Sequence, residues 1–404
     1  MKVVILDKEE AMKVGGIVTF NKRLMEHMSL RGHEVHILRF AQKPIRQKNI
    51  YRLPYYLAEK RSFIILPHEK TLTVIRKYLQ KLKPDIVYTN IGLSPLDFLL
   101  PRLCFELRIP LAGVWHADFN QEHNAYQILA KSLFLLFLPV CRQLNLLHVF
   151  TQKMAHFYIR KGIDPKKITV IPNGVNPKVY APGASLFAKE HSVRRGILFL
   201  GRLTLQKNPE VLIQSFLRSS AIRDSHLILV GQGEEEETLR EKYQDPHVIF
   251  TGSILAEKKK VDIIRSCQIF VLPSRFEGMP LALLEAMSTG LACVVSDAGS
   301  NSETLGDAGI VLPSSKIKQQ LPVVLDILLR QPTFTKILGK QARNKVLEEF
   351  TQTVIFDKLI DTFRHTISQY DKTRLSTPQP LLTTFTIQQL KRLWKKALDL
   401  RVDF

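Results

Sequence analysis

Cysteine and tryptophan are scarce in this 404-residue chain, with four of the first and two of the second. The cysteines, Cys104, Cys141, Cys267 and Cys293, stand far apart in mostly apolar surroundings and form no CxxC pair, so they predict reduced core thiols in a cytoplasmic protein. Long apolar runs are missing too. The longest, Leu133 to Cys141, contains Pro139 and falls far short of the ~20 residues that a membrane span requires. The opening MKVVILD has neither the extended apolar stretch nor the small-residue cleavage site of a signal peptide and reads as a first buried strand. No GxGxxG follows that strand, which argues against a dinucleotide oxidoreductase. Basic and aromatic residues are nowhere arranged as a nucleic-acid module, so nucleic acid is not expected as a partner.

What the chain does have is enough apolar residue, 45%, for more than one core, and its length favours two domains. Its net charge of +21 is unevenly placed: residues 1–185 carry 28 basic against 13 acidic groups, residues 186–370 carry 23 against 21, and the tail carries 7 against 3. A basic first half beside a nearly neutral second half implies an anionic partner for one domain, and charge alone does not choose among nucleic acid, a phosphorylated substrate and an anionic membrane surface.

Short β-rich runs alternate with helix-length segments, first over Lys2 to Asp7, Glu34 to Leu38, Asp85 to Asn90, Leu111 to His116, His148 to Thr151 and Ile168 to Ile171. The pattern restarts at Gly196 to Leu200 and continues through His226 to Val230, Val248 to Thr251, Gln268 to Leu272 and Ala292 to Ser296. That order predicts two Rossmann-like α/β units in series, each with a parallel sheet. Between them Asn176 to Arg195 reads as a linker, which sets domains at 1–185 and 186–350. Helices follow near Lys316 to Leu329, Phe334 to Glu349 and Thr353 to Gln369, the last (351–370) expected to return to the first domain. Residues 371–404 read as a basic amphipathic tail, with Leu390, Leu393, Trp394, Ala397 and Leu398 at helical spacing among four cations.

The strongest chemical signal is the segment from Phe276 to Met287, which follows the strand ending at Leu272 and holds Glu277 and Glu285. Pro280 suits a helix start and Gly290 its end, so Glu277 belongs to the entry loop and Glu285 to the helix. At ~1.5 Å of rise per residue the carboxylates stand on the order of 10 Å apart. That is wide for joint action on one glycosidic oxygen and suits gripping both ends of a long ligand. Between them the N–H groups of Leu281 and Ala282, at the positive end of the helix, are placed to hold a diphosphate. Arg202 and Lys207 follow the strand ending at Leu200, at the carboxyl end of a parallel sheet where α/β proteins bind ligands. In the first half Gly15 and Gly16 precede a helix and permit close approach of a phosphate or acceptor, and His116 lies just past a strand.

Taken in order, Gly15-Gly16, the turn at His116, Ile171 to Val175, the Arg202/Lys207 loop, Val230 to Gly233, the Glu277/Glu285 pair and Gly299 to Glu303 resemble the family 4 glycosyltransferases. The resemblance implies the GT-B fold, two Rossmann-like domains with parallel sheets facing across a cleft, the first binding acceptor and the second a nucleotide diphosphate sugar. It implies Glu285 on the ribose, Glu277 with Gly278 and Met279 on the donor sugar, and Arg202, Lys207, Leu281, Ala282 and Gly16 on the diphosphate. Catalytic roles fall to His116 and Glu277, configuration is retained, and neither metal nor other cofactor is required. The expected acceptor is a lipid or lipid-linked cell-surface glycan, as in lipopolysaccharide assembly, met at the cytoplasmic face of a membrane. Ser300 departs from the pattern by standing where a second glycine is usual. Two other readings share the fold: a silent scaffold or nucleotide sensor, against which both glutamates and both cations argue, and a non-hydrolysing sugar-nucleotide epimerase, whose further acid/base residues are not found.

Read singly, these residues have plainer explanations. Asn173-Gly174 reads as a turn, Glu234 to Glu237 as acidic residues favouring a helix start, and Lys258 to Lys260 as a solvated face.

Overall fold

The computed structural model describes residues 1–7, 16–41, 45, 47–59, 64–92, 94–115, 137–220 and 222–370. Gly15, His116, most of the Gln121 to Leu147 segment and the basic tail lie outside the described residues. By contacts the chain divides into two units, one of Met1–His116, His123–Ile171 and Phe356–Phe404, the other of Ala117–Glu122 and Pro172–Ile355.

The first unit is built on a seven-stranded sheet in the order β3-β2-β1-β6-β7-β8-β9, with β1 Lys2–Asp7, β2 Glu34–Phe40, β3 Ile50–Leu53, β6 Ile86–Asn90, β7 Leu111–Val114, β8 Leu146–Val149 and β9 Ile168–Val170. All its pairings are parallel. Between β3 and β6 a separate antiparallel pair, β4 Tyr55–Glu59 and β5 Ile64–Pro67, forms a hairpin the sequence reading did not anticipate. Val3 to Leu6 are at most 1% exposed, as expected of a central strand covered on both faces. The helix Gln352–Gln369 is shared between the units. Its later part packs into the first unit, where Phe356 meets Phe20 edge-on at 5.5 Å and Phe363 lies 5.2 Å from Tyr88. Asp357 receives Nε of Arg31 at 2.9 Å and pairs with Nε2 of His27 at 2.8 Å.

His148, wholly buried on β8, donates from Nε2 to the Ile171 carbonyl at 2.7 Å and accepts the Tyr88 hydroxyl at Nδ1, also at 2.7 Å. Burial lowers its pKa to about 4, so the ring is neutral in the folded protein.

The second unit holds a six-stranded parallel sheet in the order β12-β11-β10-β13-β14-β15, with β10 Arg195–Leu200, β11 Ser225–Val230, β12 Val248–Gly252, β13 Ile269–Leu272, β14 Ala292–Ser296 and β15 Ile310–Leu312. Ile197 and Phe199, Leu227 and Leu229, Ile269 and Val271, and Ala292 and Val294 point to one face because strand side chains alternate. Val211, Leu212 and Phe216 and the stripe Leu321, Leu325 and Leu328 cover that face from two helices, at the three- and four-residue spacing of a buried helix side. Strand order reverses between β10 and β13, so loops leaving their carboxyl ends diverge and leave room for a ligand.

The contact division falls between Ile171 and Pro172, ahead of the boundary read at Ser185. The stretch in between is engaged with the second unit. The Tyr180 hydroxyl donates to Glu257 Oε1 at 3.1 Å, and Ser185 caps a short helix, Leu186–Glu190, whose first N–H groups also bond to the Asp262 carboxylate. No helix among the described residues is long and apolar enough to cross a membrane.

Candidate active site

Three loops leave the carboxyl ends of β10, β13 and β14, and their backbones lie in contact. Gly299, after β14, has φ +57°, and a Cβ there would sit 1.8 Å from the Glu277 carbonyl oxygen. Only glycine permits that approach. The loop after β11 is pressed as closely on the loop after β10, since a Cβ on Gly231 would lie 1.8 Å from the Gly201 carbonyl oxygen. The Gly231-Gln232-Gly233 turn thereby seats the Arg202 to Lys207 segment, with the Leu203 N–H on the Gln232 carbonyl at 3.1 Å.

On that base the helix Leu281–Thr289 has Pro280 as its N-cap, so it starts one residue later than a proline at its first position implies, and no side chain among the described residues caps it. The first N–H groups, those of Leu281 and Ala282, are therefore left to a ligand or to water. Gly290 ends the helix at φ +86°.

Glu277 and Glu285 are both buried, each 3% exposed, and each carboxylate is gripped by a lysine. Lys207 Nζ reaches the two oxygens of Glu277 at 2.5 and 2.6 Å, and Ser274 donates its hydroxyl to the same carboxylate at 2.6 Å. Lys260 Nζ reaches both oxygens of Glu285 at 2.9 Å and lies 5.1 Å from the centre of the Tyr180 ring. A carboxylate offers about four acceptor positions and an ammonium three donors, so each pair retains capacity for a ligand. Arg202 is exposed, with Nη2 on Gln206 Oε1 at 3.4 Å. Gln206 in turn bonds the Phe276 carbonyl at 3.1 Å, which ties the Arg202 loop to the entry of the Glu277 segment.

Asn173 is more than a turn residue. Its side-chain amide donates to the Met279 carbonyl at 2.8 Å and its N–H approaches Met279 Sδ at 3.0 Å, clamping the loop between Glu277 and the helix. Ser300 hydrogen-bonds the Gly278 carbonyl through its hydroxyl, so the departure from the expected glycine adds a tether to the same loop. Glu235 is the N-cap of the helix Glu236–Lys242, with Glu236 and Glu237 in its first turn, as the acidic run predicted. Lys260 is the residue that sequence reasoning missed. The run Lys258 to Lys260 has the sequence of a solvated face, yet of its three lysines only Lys258 and Lys259 are exposed. The signal was its place on a helix whose Val261 and Ile264 face the core, which turns one lysine of the three toward the interior. Gly16 opens the helix Gly16–Leu30 in the first unit.

Comparison with known proteins places the chain in a family. The family model Glycosyltransferase Family 4 matches residues 14–179, and the model Glycosyl transferases group 1 matches residues 194–328. The chain belongs to the glycosyltransferases of family 4. The transferase is 28% identical over 326 residues to UDP-Gal:alpha-D-GlcNAc-diphosphoundecaprenol alpha-1,3-galactosyltransferase of Escherichia coli, covering 75% of this chain and 81% of that protein. It is 22% identical to the GDP-mannose-dependent alpha-mannosyltransferase of Corynebacterium glutamicum, covering 81% of each. Its fold is GT-B. Sucrose-phosphate synthase from Thermosynechococcus elongatus superposes with a TM-score of 0.74 at 19% identity, over 91% of this chain and 100% of that one. The UDP complex of HepE from Anabaena gives the same TM-score at 17% identity, over 90% and 100%.

Proposed function

We propose that this glycosyltransferase moves a sugar from a nucleotide diphosphate donor to a hydroxyl of a lipid-linked cell-surface glycan, with retention of anomeric configuration and without a bound metal. The observation that carries this reading is the pair of buried, lysine-held carboxylates flanking an uncapped helix N-terminus. Glu285 accepts hydrogen bonds from the ribose hydroxyls. Glu277, with Gly278 and Met279, holds the donor sugar, and Lys207 fixes that carboxylate in place. The N–H groups of Leu281 and Ala282, Arg202, and the remaining donor of Lys207 take up the negative charge that grows on the diphosphate as its bond to the sugar breaks. The acceptor oxygen attacks the anomeric carbon from the face the diphosphate leaves, and a departing phosphate oxygen takes the acceptor proton. Gly15, Gly16 and His116 are assigned to the same reaction, the glycines to phosphate or acceptor and His116 to orienting the donor.

The names of relatives support this choice of substrates. The Escherichia coli protein and a Campylobacter jejuni relative, 26% identical over 271 residues, are both named for acceptors on diphosphoundecaprenol. UDP and GDP donors both occur among the relatives' names. An acceptor on a lipid brings the protein to a membrane surface. The basic first half, the Lys131 region and the Trp394 tail suit that surface, at about 1 kcal/mol for each cation near anionic lipid. Turnover of UDP- and GDP-sugars on an undecaprenyl diphosphate glycan, with proton NMR of the new anomeric centre, tests the core of the proposal. An inverted product, or activity that vanishes with EDTA and returns with magnesium, overturns the retaining, metal-free reaction. Flotation with anionic vesicles across a salt series tests the membrane step, which fails if the full-length protein does not float at low salt.

A further inference from the structure

The strands that carry the donor loops at their carboxyl ends border a second cavity at their amino ends. It has a volume of about 470 Å³ and lies beside the starts of β10 and β13 and the residue before β14, at Arg195, Ile269 and Leu291. That volume is in the range of small-molecule pockets. Four cations, Arg194, Arg195, Arg265 and Lys336, line it, and no carboxylate among the described residues does.

Three helices end at the cavity, Leu281–Thr289, Glu257–Arg265 and Ile317–Arg330, and each brings roughly half a negative charge. The plainer account is that the arginines merely neutralise those ends. One does so in part, since Arg195 Nη1 donates to the Leu329 carbonyl at 2.8 Å, whereas Arg265 Nε donates at 2.8 Å to the carbonyl of Ala181, which belongs to no helix. The charges decide against that account. The helix Pro332–Glu349 starts at the same cavity, uncapped by any side chain among the described residues, and returns about half a positive charge. With four cations present, an excess of about three positive charges remains. A guanidinium also has five N–H donors, so one bond to a carbonyl leaves Arg195 and Arg265 most of theirs.

The backbone holds the walls in place. A Cβ on Gly339 would lie 2.1 Å from the Gly290 carbonyl oxygen, which fixes the crossing of Pro332–Glu349 against the end of Leu281–Thr289. A Cβ on Gly183 would stand 3.1 Å from Arg265 Cζ, so glycine there gives the guanidinium its space.

We propose that this cavity is a second anion site, distinct from the donor loops, that binds a phosphate-bearing ligand through Arg194, Arg195, Arg265 and Lys336. Guanidinium groups pair with phosphate oxygens through two parallel hydrogen bonds, and two arginines with spare donors on one wall suit a phosphomonoester or diphosphate better than a lone carboxylate.

The test is calorimetric titration of inorganic pyrophosphate into the full-length protein, wild type, R194E/K336E and R202A. Arg194 and Lys336 are exposed, so the double charge reversal leaves the core intact. The wild type is expected to show two classes of site. R194E/K336E weakens one of them at least about tenfold, and R202A spares that class while weakening the other. An R194E/K336E isotherm that superimposes on the wild type, or a wild type without the second class, overturns the cavity site. Failure of R202A to affect either class counts against the proposed donor site and leaves the cavity standing. Sedimentation with phosphatidylglycerol vesicles separates the sources of phosphate: retention lost in R194E/K336E assigns a lipid headgroup, and equal retention assigns a soluble ligand.

Discussion

Replacing Lys260 by methionine removes the cation from Glu285 while keeping most of the side-chain volume. Breaking a buried ion pair by removing one partner costs ~3–5 kcal/mol, because the other charge stays buried and uncompensated, whereas an exposed pair is worth ~0–1 kcal/mol. Here the Glu285 side chain is 4% exposed and the Lys260 side chain 21%, so the pair is buried on its acidic side and partly open on its basic side. The cost therefore falls between the two limits, at about 2 kcal/mol. For a unit of this size that lowers Tm by roughly 4–8 °C. Thermal unfolding of the ligand-free protein measures it. Glu285→Gln removes the charge that Lys260 compensates, so adding Lys260→Met to it should cost much less than Lys260→Met alone. A Tm for Lys260→Met within about 1 °C of the wild type, or strictly additive effects in the double mutant, refutes the argument that this lysine neutralises the carboxylate.

Glu285→Gln is expected to weaken binding of the bare nucleotide, while Glu277→Gln spares that binding and lowers kcat with the sugar donor; calorimetry beside steady-state kinetics separates the two, and wild-type activity in the double variant removes both from the site. Gly299→Ala drives a Cβ into the Glu277 carbonyl at a positive φ, so it should cost more than about 2 kcal/mol and abolish transfer, measurable by urea denaturation and turnover. His148 titrates at about 4 when folded and near 6.5 when unfolded. Between those values the unfolded chain binds a proton that the native ring refuses, so its contribution is intact above pH 6.5, falls as pH drops and is lost by about pH 4. The loss is of the order of 3 kcal/mol, seen as a steeper decline in stability than His148→Gln shows over the same window.

Much of the second unit was legible because its signals are local. Ile269 to Leu272, closed by Pro273, and Leu291 to Val295, between Gly290 and Ser296, are continuous apolar runs, the mark of strands buried on both faces. The helix between them announced its two ends through Pro280 and Gly290. The hairpin of β4 and β5 was not legible, since its pairing joins no Asn-Gly or Asp-Gly turn and its residues alternate poorly. Lys207 on Glu277 was not legible either. Each side chain was recognised, but the pairing depends on how the loops after β10 and β13 meet, which depends in turn on glycines whose close contacts are made with distant carbonyl oxygens. Lys260 escaped for a related reason. A run of three lysines looks solvated, and which one turns inward is decided by Val261 and Ile264 beside it.

The four thiols divide evenly between the units, Cys104 and Cys141 in the first, Cys267 and Cys293 in the second, and all are free and buried. Burial raises every one of them, Cys104, Cys141 and Cys267 to about 12 and Cys293 further still, so the reactive thiolate is almost absent at neutral pH. A thiol-selective reagent then modifies a cysteine only when its surroundings open. With mass spectrometry to assign each adduct, the rate at Cys104 and Cys141 times the opening of one sheet, and the rate at Cys267 and Cys293 times the other, without any introduced label. Nucleotide in the donor loops should slow the second pair and leave the first at its own rate.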